Sequence, residues 1–330
     1  MKKSIDHLHI DRYVSKTFDM YFKGRSFAVF DIETTGLSPA YCKVILSGIL
    51  LVKGNDCQVI QFFADQADDE KEILQQTVDI LKSTDYIITY NGRHFDIPFI
   101  EKRAQRHGIA FETCPYDLDL YLVVNGHSEL KSILPNLKQK SIEIFMGLSD
   151  GRDDEISGKE SVDLYHRYMT SKSFELERKI LLHNHDDLIQ LYRLLPIISK
   201  VNFHKAMFKL GFLAGSFLIH RVNMAGRDLH VLGKQLADPM DYISFPTEER
   251  PYSLIMDSAS REFELIVPGQ AEAGAIYFDA LAILGQRIEE IEKYPSVVNG
   301  YLISEERGQI NHMEINAFLL AFFRLAFFRE

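Results

Sequence analysis

Short apolar runs punctuate the first two hundred positions. SFAVFD (26–31), VILSGILLV (44–52), QVIQFFAD (58–65) and YIITY (86–90) are rich in β-branched and aromatic residues, which predicts four strands. GND at 54–56 is a turn signal, so the first three strands should form an antiparallel meander. Between the third and fourth, residues 69–82 put Leu74, Val78 and Leu81 on one face with Ile73 and Ile80 beside them, a helical period. FIEKRAQRHG extends as a helix after Pro98 and stops at Gly108, and PYDLDLYLVV (115–124) predicts a fifth strand or its edge. From 129 the pattern is helical, with a polar break at 147–161 and then a long helix from about 173 to 197. Three antiparallel strands followed by alternating helix and strand give an α/β fold, a mixed five-stranded sheet flanked by helices.

Beyond 200 the pattern changes. FHKAMFKLGFLAGSFLIHRVNMAG has helical apolar spacing to about 222, and residues 225–275 mix short apolar runs with Pro239, Pro246, Pro251 and Pro268. Helices near 275–292 and 312–328 should flank a short strand, VVNGYLIS. The expected organisation is an extension at 1–24, an α/β domain at 25–200 and a smaller α+β region at 201–330. A prior of one domain per ~150 residues also suggests two domains for 330 residues.

Composition excludes more than it selects. The chain is 46% hydrophobic and 25% charged, ordinary for a globular core. Its three cysteines (Cys42, Cys57, Cys114) are too scattered for a disulfide framework or a zinc cluster, which suggests a reducing, cytoplasmic setting. MKKSIDHLHIDRY starts basic without a following apolar run, so no signal peptide is expected. INAFLLAFFRLAFFRE is interrupted at Arg324 and too short to span a bilayer, so no membrane association is expected. A net charge of −10 argues against electrostatic coating of nucleic acid but not against gripping a few nucleotides locally.

The chemistry lies in the acids. In FAVFDIETTGLSPA, Asp31 and Glu33 are two apart on a strand and so share a face. Such neighbours repel by roughly 1–4 kcal/mol at ~4 Å. Asp96 follows the fourth strand in YNGRHFDIPFI, and Asp186 and Asp187 lie in HNHDDLIQLYRLL on the long helix. Singly, an acid after a strand is usually a cap and an Asp pair on a helix is usually solvated. Together they can converge on one end of a sheet, where four carboxylates require cations. Two Mg²⁺ or Mn²⁺ ions suit hard oxygen ligands, and such a pair ~3.5–4 Å apart cleaves phosphodiesters.

DIETTGL, YNGRHFDIPFI and HNHDDLIQL resemble the three motifs of the DEDD superfamily of 3′–5′ exonucleases, which has the ribonuclease H-like fold. LKSILPNLKQKSIEIFMG and RDDEISGKESVDLYHRY are similar, more narrowly, to its YprB-like branch of bacterial proteins. The resemblance covers about 25–200 and implies a nuclease that hydrolyses single-stranded nucleic acid from a 3′ end. It implies Asp31, Glu33, Asp96 and Asp187 as metal ligands. One ion, on Asp31, Glu33 and Asp187, would lower the pKa of the attacking water; the other, on Asp31 with Asp96 nearby, would stabilise the leaving 3′ oxygen. Thr34, Gly36 and Leu37 would contact the terminal nucleotide, and Asn91 and Phe95 flank the second motif where nucleotide-facing groups stand.

One position departs from the pattern. DEDD enzymes carry a tyrosine four residues before the last aspartate or a histidine five before it. Here His183 stands four before Asp187 and Leu182 five before, a histidine at the tyrosine's spacing. Counting from Asp186 fits neither pattern, so Asp187 is the expected ligand and Asp186 a solvated or outer residue. His183 shares a helical face with Asp187 and is the candidate proton acceptor, alongside Asp31 and Glu33 as catalytic residues. His185 is expected to be structural, and Asp117 and Asp119 are the runner-up acids. Lys102, Arg103, Arg106, Lys131, Lys138 and Lys140 are candidates for a basic track. The main rival is a catalytically weak module of the same fold that binds nucleic acid or a partner; another is a metal-dependent phosphohydrolase acting on nucleotides.

Overall fold

The computed structural model describes residues 1–111, 116–148, 156 and 158–324. It divides into two units, Met1–Ser15 with Gly24–Val201, and Lys16–Lys23 with Asn202–Glu330. In chain order the first elements are β1 (Lys2–His9), in the first unit, and α1 (Lys16–Phe22), in the second.

The apolar runs of the first unit become β2 (Phe27–Thr34), β3 (Val44–Lys53) and β4 (Asp56–Phe63), an antiparallel meander as the turn signal predicts. α2 (Glu70–Leu81), β5 (Tyr86–Thr89), α3 (Asp96–Arg106), β6 (Asp117–Asp119), α4 (Leu120–His127), α5 (Leu130–Ile133), α6 (Gln139–Phe145), α7 (Gly158–Ser171) and α8 (Phe174–Arg193) follow. The sheet runs β1-β4-β3-β2-β5-β6, with β5 and β6 parallel to β2 and the rest antiparallel, so it is mixed. It has six strands rather than the expected five. The sixth is β1, whose residues are almost all exposed and which joins through backbone pairing to β4, leaving no apolar signature to read.

Alternation along β2 separates packing from chemistry. Ala28, Phe30 and Ile32 pack in a core with Ile73, Leu74 and Val78 of α2 and Phe99 and Ile100 of α3. Asp31 and Glu33 point the other way, toward α8. The β2–β3 register shifts between Glu33 and Thr34, a bulge that ends the regular ladder just past the acids.

Two elements differ from the sequence reading. α3 begins at Asp96, with Pro98 in its first turn, where a missing N–H is harmless. The 115–124 segment is a strand for only three residues before Asp119 caps α4. Residues 149–155 and 157 of the polar break, 112–115 before β6 and 325–330 of the C-terminal run lie outside the described residues.

In the second unit, α9 (Phe203–Leu210) ends at Gly211, so the helix expected to about 222 is cut short. Gly211 has φ 88°, and a Cβ there would collide with the Ile219 carbonyl. The chain turns instead into β7 (Phe212–Ala214) and β8 (Phe217–Ala225). With β9 (Asp228–Gln235), β10 (Tyr242–Ser244), β11 (Ser253–Met256) and β12 (Glu262–Val267) they form an antiparallel sheet ordered β10-β11-β12-β9-β8-β7. A second sheet comprises β13 (Gln270–Glu272), β14 (Ala275–Asp279), β15 (Val297–Val298), β16 (Tyr301–Glu306) and β17 (Gln309–Ile310). The helix expected near 275–292 is therefore strand β14, the short α10 (Ala280–Leu284) and a 3₁₀ turn, and VVNGYLIS is a hairpin around Asn299–Gly300. α11 (His312–Phe322) is almost wholly buried. Among the described residues no helix is long and apolar enough to cross a membrane.

Candidate active site

Three elements of the first unit bring the four predicted acids together. β2 supplies Asp31 and Glu33, the first residue of α3 supplies Asp96, and α8 supplies Asp187. β5 pairs β2 only as far as Val29, so the Ile32 N–H beyond it is left for Asp96, whose Oδ1 accepts it at 3.2 Å. One turn of α8 separates His183 from Asp187. The His183 Nε2 lies 3.5 Å from Glu33 Oε1 and 3.6 Å from Asp187 Oδ2. One ligand atom from each of Glu33, His183 and Asp187 falls within 4.8 Å of the others, a grouping that can hold a metal ion.

Asp31 is oriented by a residue that no motif singles out. Asn184 Nδ2 donates to Asp31 Oδ2 at 2.8 Å, and Asn184 Oδ1 accepts from Gln61 Nε2 at 2.8 Å. Gly48, paired with Asp31 across the β2–β3 ladder, makes room: a Cβ there would run into the Asn184 amide. A glycine inside a strand is a sign of such close approach, and VILSGILLV carries that signal.

The electrostatics are those of buried acids crowded together, with the His183 imidazole among them. Burial, then Asp96, Asp187 and Glu33, pushes Asp31 well above the carboxylate range, against the Asn184 hydrogen bond. Glu33 is pushed up to about 7, by burial first; His183 opposes the shift, Asp187 adds to it, and the nearby Ser161 hydroxyl opposes it. Asp96 is also pushed to about 7 by burial, against the Ile32 N–H and with a contribution from Asp119. No lysine or arginine is among the largest influences on these three groups. A divalent cation fits the carboxylate oxygens of this set, with the His183 imidazole standing beside them.

The other candidates divide. Asp186 is 5% exposed rather than solvated, and faces His185, whose Nε2 sits 3.2 Å from Asp6. Asp119 accepts the N–H groups of Asn91 (2.8 Å) and Arg93 (3.2 Å), so it fixes the loop that leads to Asp96. Asn91 there has φ 67°. Asp117, bonded by the Thr89 hydroxyl, is pushed up to about 8 by burial and then by Asp119. Phe95 packs its ring on Phe99 at 5.6 Å and against the core. Thr34 turns its hydroxyl to the Gly36 carbonyl at 2.8 Å, while Leu37 is 85% exposed. Arg103 is not part of a basic track: it is buried against Glu70 and also donates to the Pro39 carbonyl, as Arg106 does to that of Ala40.

A sequence profile described as the RNase_H superfamily matches residues 28–198, just over half of the chain and the whole of this site. The chain belongs to that superfamily. Over 66 residues, 20% of the chain, it is 35% identical to a DNA polymerase of Methanocaldococcus jannaschii, of which that stretch is 4%. Among solved structures it is similar to the family B DNA polymerase of the archaeon Pyrobaculum calidifontis, with 15% identity and TM-score 0.44. That similarity covers 91% of this chain and 46% of the polymerase. It is also similar to exonuclease I, with 11% identity and TM-score 0.38 over 65% of this chain and 56% of that one. The chain thus spans about half, or much less, of these proteins.

Proposed function

We propose that this chain is a two-metal 3′–5′ exonuclease that hydrolyses phosphodiester bonds of single-stranded nucleic acid, of the DEDD group and its YprB-like branch. The observation that carries the reading is the convergence of Asp31, Glu33, Asp96 and Asp187 with no lysine or arginine prominent in the field of the first three. Acids left this way at a superfamily site suit cations that also bind a phosphate.

On this reading Asp31, Glu33 and Asp187 hold one ion, and Asp31 with Asp96 the other. When bound, the ions supply electrophilic assistance to the phosphoryl group and a more acidic attacking water. The protein's own groups do the rest. His183 Nε2, set between Glu33 and Asp187, accepts the proton of the water as its oxygen attacks phosphorus and the 3′ oxygen leaves. Asn184 holds Asp31 in place, and Thr34, Gly36, Leu37 and Asn91 receive the terminal nucleotide, while the Phe95 ring packs against the core. The placement of His183 at the tyrosine's spacing favours the second reading, a catalytically weak binding module of the same fold.

End-labelled single-stranded DNA and RNA, incubated with Mg²⁺ or Mn²⁺ and with EDTA, separates the two. Loss of mononucleotides from the 3′ end in metal alone is the expected result. Intact strands in both conditions would overturn the exonuclease reading.

A further inference from the structure

A cavity of about 770 Å³ opens in the first unit, lined among others by Tyr90, Asn91, Tyr121, Lys131, Lys138 and Gln139. Its lining contains two lysines and no carboxylate, in a chain of net charge −10. Both lysines are exposed, and neither makes an ion pair among the described residues. Tyr90 and Tyr121 meet edge to face with ring centroids 5.9 Å apart, and the Tyr90 hydroxyl is tied to the Leu137 carbonyl. Tyr90 is thereby fixed and braces Tyr121.

The cavity is joined to the acidic site at two points. Gln139 Nε2 donates to the Asp187 carbonyl at 3.0 Å, and Asn91 opens the loop that ends in Asp96. Cations, aromatic faces and amides together select a ligand that carries phosphates and planar bases. Lys131 is carried by α5 and Lys138 stands at the start of α6, so the two lysines reach the cavity from separate segments. A free mononucleotide offers one phosphate; a strand offers one per residue.

We propose that this cavity docks the single strand upstream of its reacting end, with Tyr121 stacked on a base and Lys131 and Lys138 each meeting a phosphate. The proposal rests on the nuclease reading and makes the substrate a polynucleotide rather than a nucleotide.

The test is fluorescence anisotropy of a fluorescein-labelled oligothymidylate in EDTA, across a salt series, for the full chain. Replacing both lysines (Lys131→Ala with Lys138→Ala) should make the slope of log K against log salt shallower by about 1.4, at ~0.7 per phosphate contact on a single strand. Tyr121→Ala should weaken binding about tenfold, the scale of one lost stack, and Tyr121→Phe should restore it. Hydrolysis of the p-nitrophenyl ester of thymidine 5′-monophosphate in Mn²⁺, which has no upstream strand, should be unchanged in all these variants. An unaltered salt slope, equal competition by thymidine 5′-monophosphate, or a parallel loss of ester hydrolysis would each overturn the docking site. Binding of the oligonucleotide with no metal-dependent hydrolysis of either substrate would overturn the catalytic reading and leave the docking site standing.

Discussion

Buried acids of the same domain stand under opposite regimes, Glu70 in one and the acids around Asp31 in the other. Glu70, on α2, is 2% exposed, yet its carboxyl lies below the usual range. Burial alone would raise it, but Arg103 (Nε at 2.7 Å), His107 (3.0 Å) and the Val44 N–H (2.9 Å) outweigh that. Glu33 and Asp96, about as buried, are driven up to about 7. At Glu70 the chain provides the cation, and the Glu70–Arg103 pair braces the loop that displays Leu37. Where acids are assembled with no lysine or arginine prominent against them, the fold bears the repulsion and the carboxyls hold their protons to higher pH.

The sharpest way to break this contrast is to remove one acid from each regime. Glu70→Ala leaves Arg103 buried and uncompensated and should lower stability by about 3–5 kcal/mol. Asp31→Asn in EDTA should cost no stability, because it removes repulsion, while metal-dependent cleavage falls to background. Denaturant melts and the end-label assay check both; similar losses of stability in the two variants would erase the distinction. His183→Ala should slow cleavage by about a hundredfold or more, the scale of positioned proton transfer. His183→Tyr should retain more activity than the alanine variant, since tyrosine stands at this spacing in the DEDD enzymes whose motifs the chain resembles. Equal, near wild-type rates would make His183 a bystander. Asn184→Ala, which frees Asp31, should weaken Mn²⁺ binding about 10–100-fold in titration calorimetry. An unchanged affinity would mean that Asp31 needs no such support.

One half of this contrast is legible in the amino-acid sequence. The DxE spacing on a strand puts Asp31 and Glu33 on one face, and one helical turn joins His183 to Asp187; both hold in the fold. The paired group is not legible, because Glu70, Arg103 and His107 come from two helices and the turn after one of them, whose packing no local pattern encodes. Arg103 reads as a surface base for that reason. Asn184 is hidden in HNHDD, although Gly48 announces a close approach in β3. β1 escapes because an exposed edge strand needs only backbone partners. Past Leu210, apolar residues at helical spacing are overruled by Gly211, and β7 and β8 form there instead.

The most direct measurement is the melting midpoint against pH, with and without Mn²⁺. Folded Glu33 and Asp96 have raised pKa values, from 4.5 and 3.8 to about 7, so the folded protein binds more protons than the unfolded chain between about pH 4 and pH 7. Stability from these groups is present below that window and lost as pH rises through it. The metal-free midpoint should therefore fall from about pH 5 to about pH 7.5, and fall less in Asp31→Asn. Mn²⁺ at a hundred times its Kd should add ~2.7 kcal/mol at about pH 7.5 in the wild type and much less in Asp31→Asn. A wild-type midpoint that is flat across this window and indifferent to Mn²⁺ would contradict the claim that these acids are gathered for a cation.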